Sequence, residues 1–265
     1  MQSCFIHYRS SVIHYLTIGS GDIPVVCLHG YGESSQAFNF LEENKNQYQF
    51  IAIDLPYHGQ TIWNEQEDFT PAHLAAIIES IIKERSFLVL GFSLGARMAL
   101  HLYQYIAHKI SKVILLAPDG LKLNFWYWLA TQTAVGILLF RFTIQHIQWF
   151  LIFLKILNRF KLVNASIYKF TFHYIKDKKS RDLLYQRWIG LRKFRPNLKE
   201  IKKQIVLQKT IVHLLYGKHD RIILPARGEQ FRKGIETYCT IEILDCGHQV
   251  LHEKNLNEIM QAIQN

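Results

Sequence analysis

A serine hydroxyl becomes a useful nucleophile when a histidine takes its proton and a carboxylate holds that histidine in one tautomer. Ser93 stands where such chemistry could be built, in Gly91-Phe92-Ser93-Leu94-Gly95. The apolar run Phe87–Leu90 precedes it, and a segment of helical period, Leu94–His108, follows. A strand, a tight turn and a helix in that order would hold the hydroxyl at a strand end, beside the positive end of a helix. So sharp a turn needs small residues on both sides of the serine, and Gly91 and Gly95 supply them.

Of the 13 histidines, His248 follows the apolar run Thr240–Leu244 through Asp245-Cys246-Gly247 and precedes another helical segment. It is the expected general base, with His252 one helical turn further in. Asp220 ends Leu214-Leu215-Tyr216-Gly217-Lys218-His219-Asp220, again after a strand-like run, and is the expected acid. Asp119, in Ala117-Pro118-Asp119-Gly120, is the runner-up acid; Pro-Asp-Gly signals a turn, so its expected role is structural. Attack on a carbonyl also needs donors for the oxyanion. The backbone N–H of Leu94 is one candidate. The N–H of Tyr31, in His29-Gly30-Tyr31-Gly32 just after Val25–Leu28, is the other. Asp54-Leu55-Pro56-Tyr57-His58-Gly59 is expected to shape a turn near the site rather than to react.

The elements that must position these residues are legible as alternation. Phe5–Tyr8 and Val12–Ile18 read as an antiparallel hairpin. Six apolar runs follow: Pro24–Leu28, Phe50–Leu55, Phe87–Phe92, Val113–Ala117, Thr210–Tyr216 and Thr240–Leu244. Continuous apolar runs of this length suit strands buried on both faces. Helical segments lie between them at Ser34–Glu43, Pro71–Glu84, Leu94–His108, Ala226–Lys233 and Val250–Ile263. Thr70-Pro71 is a helix start, with an N-cap hydroxyl before a proline. The alternation predicts a doubly wound α/β sheet, whose strand C-termini open on one edge.

The alternation stops between Gly120 and Lys209. Residues 121–200 hold 15 Lys/Arg against 3 Asp/Glu, within a chain of net charge +10, and four of the 5 tryptophans. They are expected to form a separate helical unit, with residues 1–120 and 201–265 forming the core. Asn124–Phe140 carries no charge over 17 residues, which falls short of a membrane span and is broken by Gln132 and threonines. The next stretch sets Arg141, Gln145, Gln148, Lys155 and Arg159 against Ile144, Ile147, Leu151 and Leu154, an amphipathic pattern.

On the residues quoted above, taken in chain order, the sequence resembles the α/β-hydrolase family, in which the order is Ser, then Asp, then His. The resemblance spans nearly the whole chain. It implies a mostly parallel eight-stranded sheet with a helical cap inserted after the sixth strand, where 121–200 falls. It also implies Ser93, Asp220 and His248 as catalytic residues, Tyr31 and Leu94 as oxyanion donors, and His29, Gly30, Gly32, Gly91 and Gly95 as supporting positions. Serine at position 93 argues against the epoxide hydrolases and haloalkane dehalogenases of this fold, which carry aspartate there. Ala96 departs from the further glycine of many relatives.

The expected reaction is cleavage of a carboxylic ester or related acyl bond through an acyl-enzyme, without metal or cofactor. Carbon–carbon bond hydrolysis of the meta-cleavage type, enol-forming lyase chemistry and cofactor-free haloperoxidation would use the same three residues. A non-enzymatic binding protein on the same fold is the alternative of another class. Phe92, Trp126 and Trp149 are expected to line an apolar substrate pocket. The cations of 121–200 suit a phosphorylated or carboxylated substrate, an acidic carrier protein or an anionic membrane surface. That basic composition is similar to the pimeloyl carrier-protein methyl ester esterases of the family. No nucleic-acid recognition motif accompanies the charge. Cys4, Cys27, Cys239 and Cys246 form no C-x-x-C pair and read as buried, reduced thiols. The first residues alternate instead of running from basic to apolar, so no export signal is expected and the cytoplasm is the expected compartment.

Overall fold

The computed structural model describes residues 1–44, 46–122, 124–160 and 177–265. They divide into two compact units, one of Met1–Lys122 with Lys193–Asn265 and one of Leu123–Arg192. Position 123 and residues 161–176 of the expected 121–200 insertion lie outside the described residues.

The larger unit is built on one eight-stranded sheet. Its strands are β1 (Gln2–Tyr8), β2 (Ser11–Ile18), β3 (Ile23–Leu28), β4 (Tyr48–Ile53), β5 (Phe87–Phe92), β6 (Ile110–Leu116), β7 (Ile211–Gly217) and β8 (Cys239–Leu244). Their spatial order is β1-β2-β4-β3-β5-β6-β7-β8. β1 pairs β2 and β2 pairs β4 antiparallel; every later pairing, from β3/β4 to β7/β8, is parallel. The chain runs from β3 outward to β4, then returns to β5 on the other side of β3. That reversal is a topological switch point, where the crevice beyond the strand ends is open.

Burial follows the sequence pattern. All six residues of β5 are buried, as expected of a strand covered on both faces. Val25 and Cys27 of β3, Leu90 and Phe92 of β5, and Ile114 and Leu116 of β6 share one cluster with Phe38 and Leu41. Their period of two is the strand period. Helix α1 (Pro71–Ile82) and helix α2 (Leu94–Ile106) pack against each other, with α2 lying over β3, β5 and β6. Thr70 caps α1 and accepts from the His73 N–H at 3.3 Å, while His73 Nδ1 accepts from the Thr70 N–H. Histidine thus fills the place that Glu or Gln takes in most capping boxes.

Two helical expectations change. Ser35–Asn44 is a 3-10 segment rather than an α-helix, with Phe38 and Leu41, three apart, buried in the cluster. The segment after β8 does not enter a helix at Val250. His252 Nδ1 accepts from the Lys254 N–H at 3.1 Å and starts a 3-10 turn at Glu253–Asn255; the regular helix begins only at Leu256. The thiols also differ from expectation: none of the four is in a disulfide, but Cys4 and Cys246 are only partly buried.

The smaller unit is helical in its described residues: α3 (Phe125–Gln132), α4 (Ala134–Gln145), α5 (Ile147–Arg159) and α6 (Lys178–Gly190). Asn124, Thr133 and Asp177 cap α3, α4 and α6 by accepting backbone N–H groups. Phe140 packs on Tyr185 and Trp188, with ring centroids 5.4 and 5.3 Å apart, and so joins α4 to α6. The uncharged and amphipathic stretches of the sequence are not one long helix. They break at Thr133 and again at His146. The chain returns to the larger unit through α7 (Leu198–Gln208), and α8 (Pro225–Arg232) and α9 (Leu256–Gln264) complete it.

Candidate active site

β3 and β5 lie side by side, with Leu28 opposite Gly91. Their ends are therefore abreast, and the His29–Gly32 loop and the Ser93 turn leave the sheet together. Ser93 has φ 50° and ψ −110°, a left-handed backbone rarely held by a side-chain-bearing residue. Such strain costs on the order of 1–3 kcal/mol and persists only where neighbours impose it. Here they do: the Ser93 N–H donates to Leu116 O at 2.9 Å, and its carbonyl accepts from Ala96, Arg97 and Asp119. Gly95 is obligatory for a different reason. A Cβ there would lie 1.9 Å from Leu28 O, inside the backbone of β3.

β7 and β8 make the second half of the site. Gly217 pairs with Leu244 at their ends. The Lys218 N–H donates to Leu244 O and the His219 N–H to Cys246 O, locking the two following loops together. A Cβ on Gly217 would lie 1.9 Å from Gly247 O. The loop that carries His248 thus crosses directly over the end of β7, toward Asp220.

These placements bring three side chains into a chain of hydrogen bonds. His248 Nδ1 lies 2.7 Å from Asp220 Oδ2, and His248 Nε2 lies 3.2 Å from Ser93 Oγ. With a carboxylate on Nδ1, that nitrogen carries the proton and Nε2 is left to accept from the serine. Asp220 Oδ1 accepts from the Ile222 and Ile223 N–H groups at 2.7 and 3.0 Å, so both carboxylate oxygens are committed. The Asp220 side chain is fully buried, while that of His248 keeps 24% exposure and can meet a substrate. Asp119 is not within this chain. Its carboxylate pairs with Arg97 and accepts from the Gly120 N–H, bracing the turn after β6.

A family model described as the Alpha/beta hydrolase family matches residues 25–262. The chain belongs to that family. Among curated relatives, a Haemophilus influenzae protein provisionally named 2-succinyl-6-hydroxy-2,4-cyclohexadiene-1-carboxylate synthase is 35% identical over 81 residues, covering 30% of this chain and 33% of that protein. The pimeloyl-[acyl-carrier protein] methyl ester esterase of Vibrio campbellii is 28% identical over 111 residues, 42% of each protein. The matched stretch thus spans 33% of the length of the first of these relatives. Among solved structures, MGS-M2, an alpha/beta hydrolase from a Medee basin deep-sea metagenome library, superposes with TM-score 0.68 at 16% identity, over 99% of this chain and 98% of that one.

In this α/β-hydrolase frame the supporting residues find their places. His29 is fully buried; its Nε2 accepts from the Leu55 N–H at 3.1 Å and its Nδ1 faces Gly30 O at 2.8 Å. It ties the loop after β3 to the loop after β4. Asp54 anchors that second loop, accepting from the Ser35 and Gln60 N–H groups at 2.6 and 2.7 Å and bonding His14 Nδ1 at 2.7 Å. Burial works to raise its carboxyl pKa, but these hydrogen bonds outweigh burial and leave it below the ordinary value. Tyr31 sets its ring edge-on to His58, with centroids 6.1 Å apart. Phe92 is buried with its ring 5.5 Å from that of His248. Trp126 and Trp149 belong to the smaller unit and are 72% and 73% exposed.

Two positions carry no signal in the sequence. Glu33 accepts from the Gly30 N–H at 2.9 Å and from Gln249 Nε2 at 2.9 Å, linking the loop of Tyr31 to the residue after His248. Gly217 looks like any strand-end glycine until the path of Gly247 is known. Among the described residues, no group of three or more His, Cys, Asp or Glu side chains is arranged to hold a metal ion.

Proposed function

We propose that the protein is a serine hydrolase that cleaves a carboxylic ester or a related acyl bond. Ser93 attacks the carbonyl carbon as His248 Nε2 takes the hydroxyl proton. Asp220 holds His248 in the reactive tautomer and stabilises its cation. The N–H groups of Leu94 and Tyr31 receive the developing oxyanion. Leu94 is the first residue of α2, where backbone N–H groups have no partner within the helix. His248 then protonates the leaving group, and water, activated by the same histidine, releases the acyl group from Ser93. The observation that carries this reading is the imidazole of His248 set between Ser93 Oγ and Asp220 Oδ2. The insertion between β6 and β7 acts as a cap that selects the substrate, and its cations favour an anionic acyl chain or carrier. The four unpaired thiols support a reducing compartment, the cytoplasm.

The test pairs turnover of activated esters with labelling by a fluorophosphonate. Wild type should label at one site and hydrolyse short esters, and Ser93→Ala should do neither. Retention of ordinary esterase turnover by Ser93→Ala would sink the proposal. A second reading comes from the Haemophilus relative, which is named a synthase. On that reading His248 would take a proton from a carbon acid by way of Ser93, the electron pair of the broken C–H bond would expel a leaving group from the neighbouring carbon, and no covalent intermediate would form. A burst of released alcohol equal to the enzyme concentration, followed by slower turnover, supports the acyl-enzyme; its absence at every ester tested favours the second reading.

A further inference from the structure

Helices α4 and α5 expose apolar side chains of a kind that a soluble surface buries. On α4, Val135, Leu138, Leu139 and Phe142 are all exposed. On α5, so are Trp149, Ile152, Phe153 and Ile156. Each set recurs at steps of three and four, so each helix presents a continuous apolar stripe outward. Monomeric proteins seldom expose contiguous apolar patches of this kind without a use for them. We propose that this face is a docking surface for an anionic phospholipid bilayer, on which α4 and α5 lie in the interfacial plane.

Three observations select that occupant. The first is length. α4 has 12 residues and α5 has 13, about 18 and 20 Å of helix, against a hydrocarbon core of about 30 Å. Among the described residues, no single helix is long and apolar enough to cross a membrane. Ala134–Gln145 and Ile147–Phe153 pass that test only together, and they meet at a bend of 96°. A pair so bent makes no single straight span, and helices of this length suit a position on the bilayer surface. The second is charge. From Leu123 to Lys176 the sequence has no Asp or Glu and six cations: Arg141, Lys155, Arg159, Lys161, Lys169 and Lys176. Of these, Arg141, Lys155 and Arg159 are exposed on the two helices themselves, and apolar stripes accompanied by cations match anionic headgroups above acyl chains. A second copy docked through α4 and α5 would bring Arg141, Lys155 and Arg159 against their own copies. The third is side-chain type: Trp149 stands within the stripe, and tryptophan favours the membrane interface.

The inference concerns binding and stands whether or not Ser93 forms an acyl-enzyme. The experiment is co-flotation of the full chain with phosphatidylcholine vesicles, with and without about 30 mol% phosphatidylglycerol. Wild type and Ser93→Ala should both float with the anionic vesicles, at least about tenfold better than with neutral ones, and about 0.5 M NaCl should weaken binding. Leu138→Glu with Phe153→Glu should abolish flotation, and Lys155→Gln with Arg159→Gln should reduce it. The circular dichroism melting midpoint of each variant should stay near wild type, and the milder pair serves if the first fails to fold. Absence of flotation, equal flotation with neutral vesicles, or flotation indifferent to both variant pairs overturns the proposal. So does light scattering showing a dimer that Phe153→Glu dissociates, because the stripe would then be an interface between copies. Retention of the chain on an acidic carrier protein, lost with the same substitutions while vesicles go unbound, would do the same.

Discussion

Ser93, Asp220 and His248 show how much a single side chain's position depends on atoms elsewhere. Asp220 has one oxygen held by two backbone N–H groups and the other by His248 Nδ1. Asp220→Asn would keep the size of the side chain but favour the wrong histidine tautomer. Its kcat on an activated ester should fall by about 10⁴ while the fold is retained; a loss under tenfold would mean that another carboxylate orients His248. Asp119→Asn is the control and should lose stability rather than rate, because Asp119 pairs with Arg97. Asp54 gives a prediction in pH. Its carboxyl lies below the ordinary value of about 3.9, so its contribution to stability is present above that value and is lost as pH falls through the native one. Asp54→Asn should therefore flatten the fall of the melting midpoint below about pH 5. Parallel acid limbs for the two proteins would refute the assignment.

At the scale of elements, close backbone approaches decide the site. Gly217→Ala should push the Gly247 carbonyl away and pull His248 off Asp220. The expected result is a chain that melts close to wild type yet labels far more slowly with a fluorophosphonate; unchanged labelling would show that the loops can adjust. Thr70→Ala removes the cap of α1 and should cost about 1 kcal/mol in denaturant unfolding, with labelling untouched. A change below a few tenths would mean that Pro71 alone sets the helix start. The alternation of apolar runs made the strands legible, because strands buried on both faces have no polar positions to blur them. That Ser93, Asp220 and His248 meet was legible because Ser93 directly follows such a run and the other two each stand four residues beyond one. What was not legible were the kind of helix after β3 and the helix start after β8. There short-range packing of Phe38 with Leu41, and the His252 cap, override helical period. The break at His146 was also hidden, since Ile144 and Ile147 keep an apolar spacing straight across it.

The whole molecule separates its chemistry from its charge. The larger unit carries every residue proposed to react, and the smaller one lies within the cationic stretch. Turnover of a small neutral ester should therefore respond little to salt, whereas kcat/KM for an acyl chain linked to an acidic carrier should fall as salt rises. Equal salt response of the two substrates would remove any role for the cations in substrate choice. The insertion has one more consequence. It enters the chain between β6 and β7, two neighbouring parallel strands of the sheet. The part before it carries Ser93 and Tyr31, and the part after it carries Asp220 and His248. The proposed site is thus divided between two stretches of chain whose seam is the β6–β7 ladder. Two separately made pieces, divided inside the insertion, should each be inert and regain fluorophosphonate labelling only when β6 finds β7.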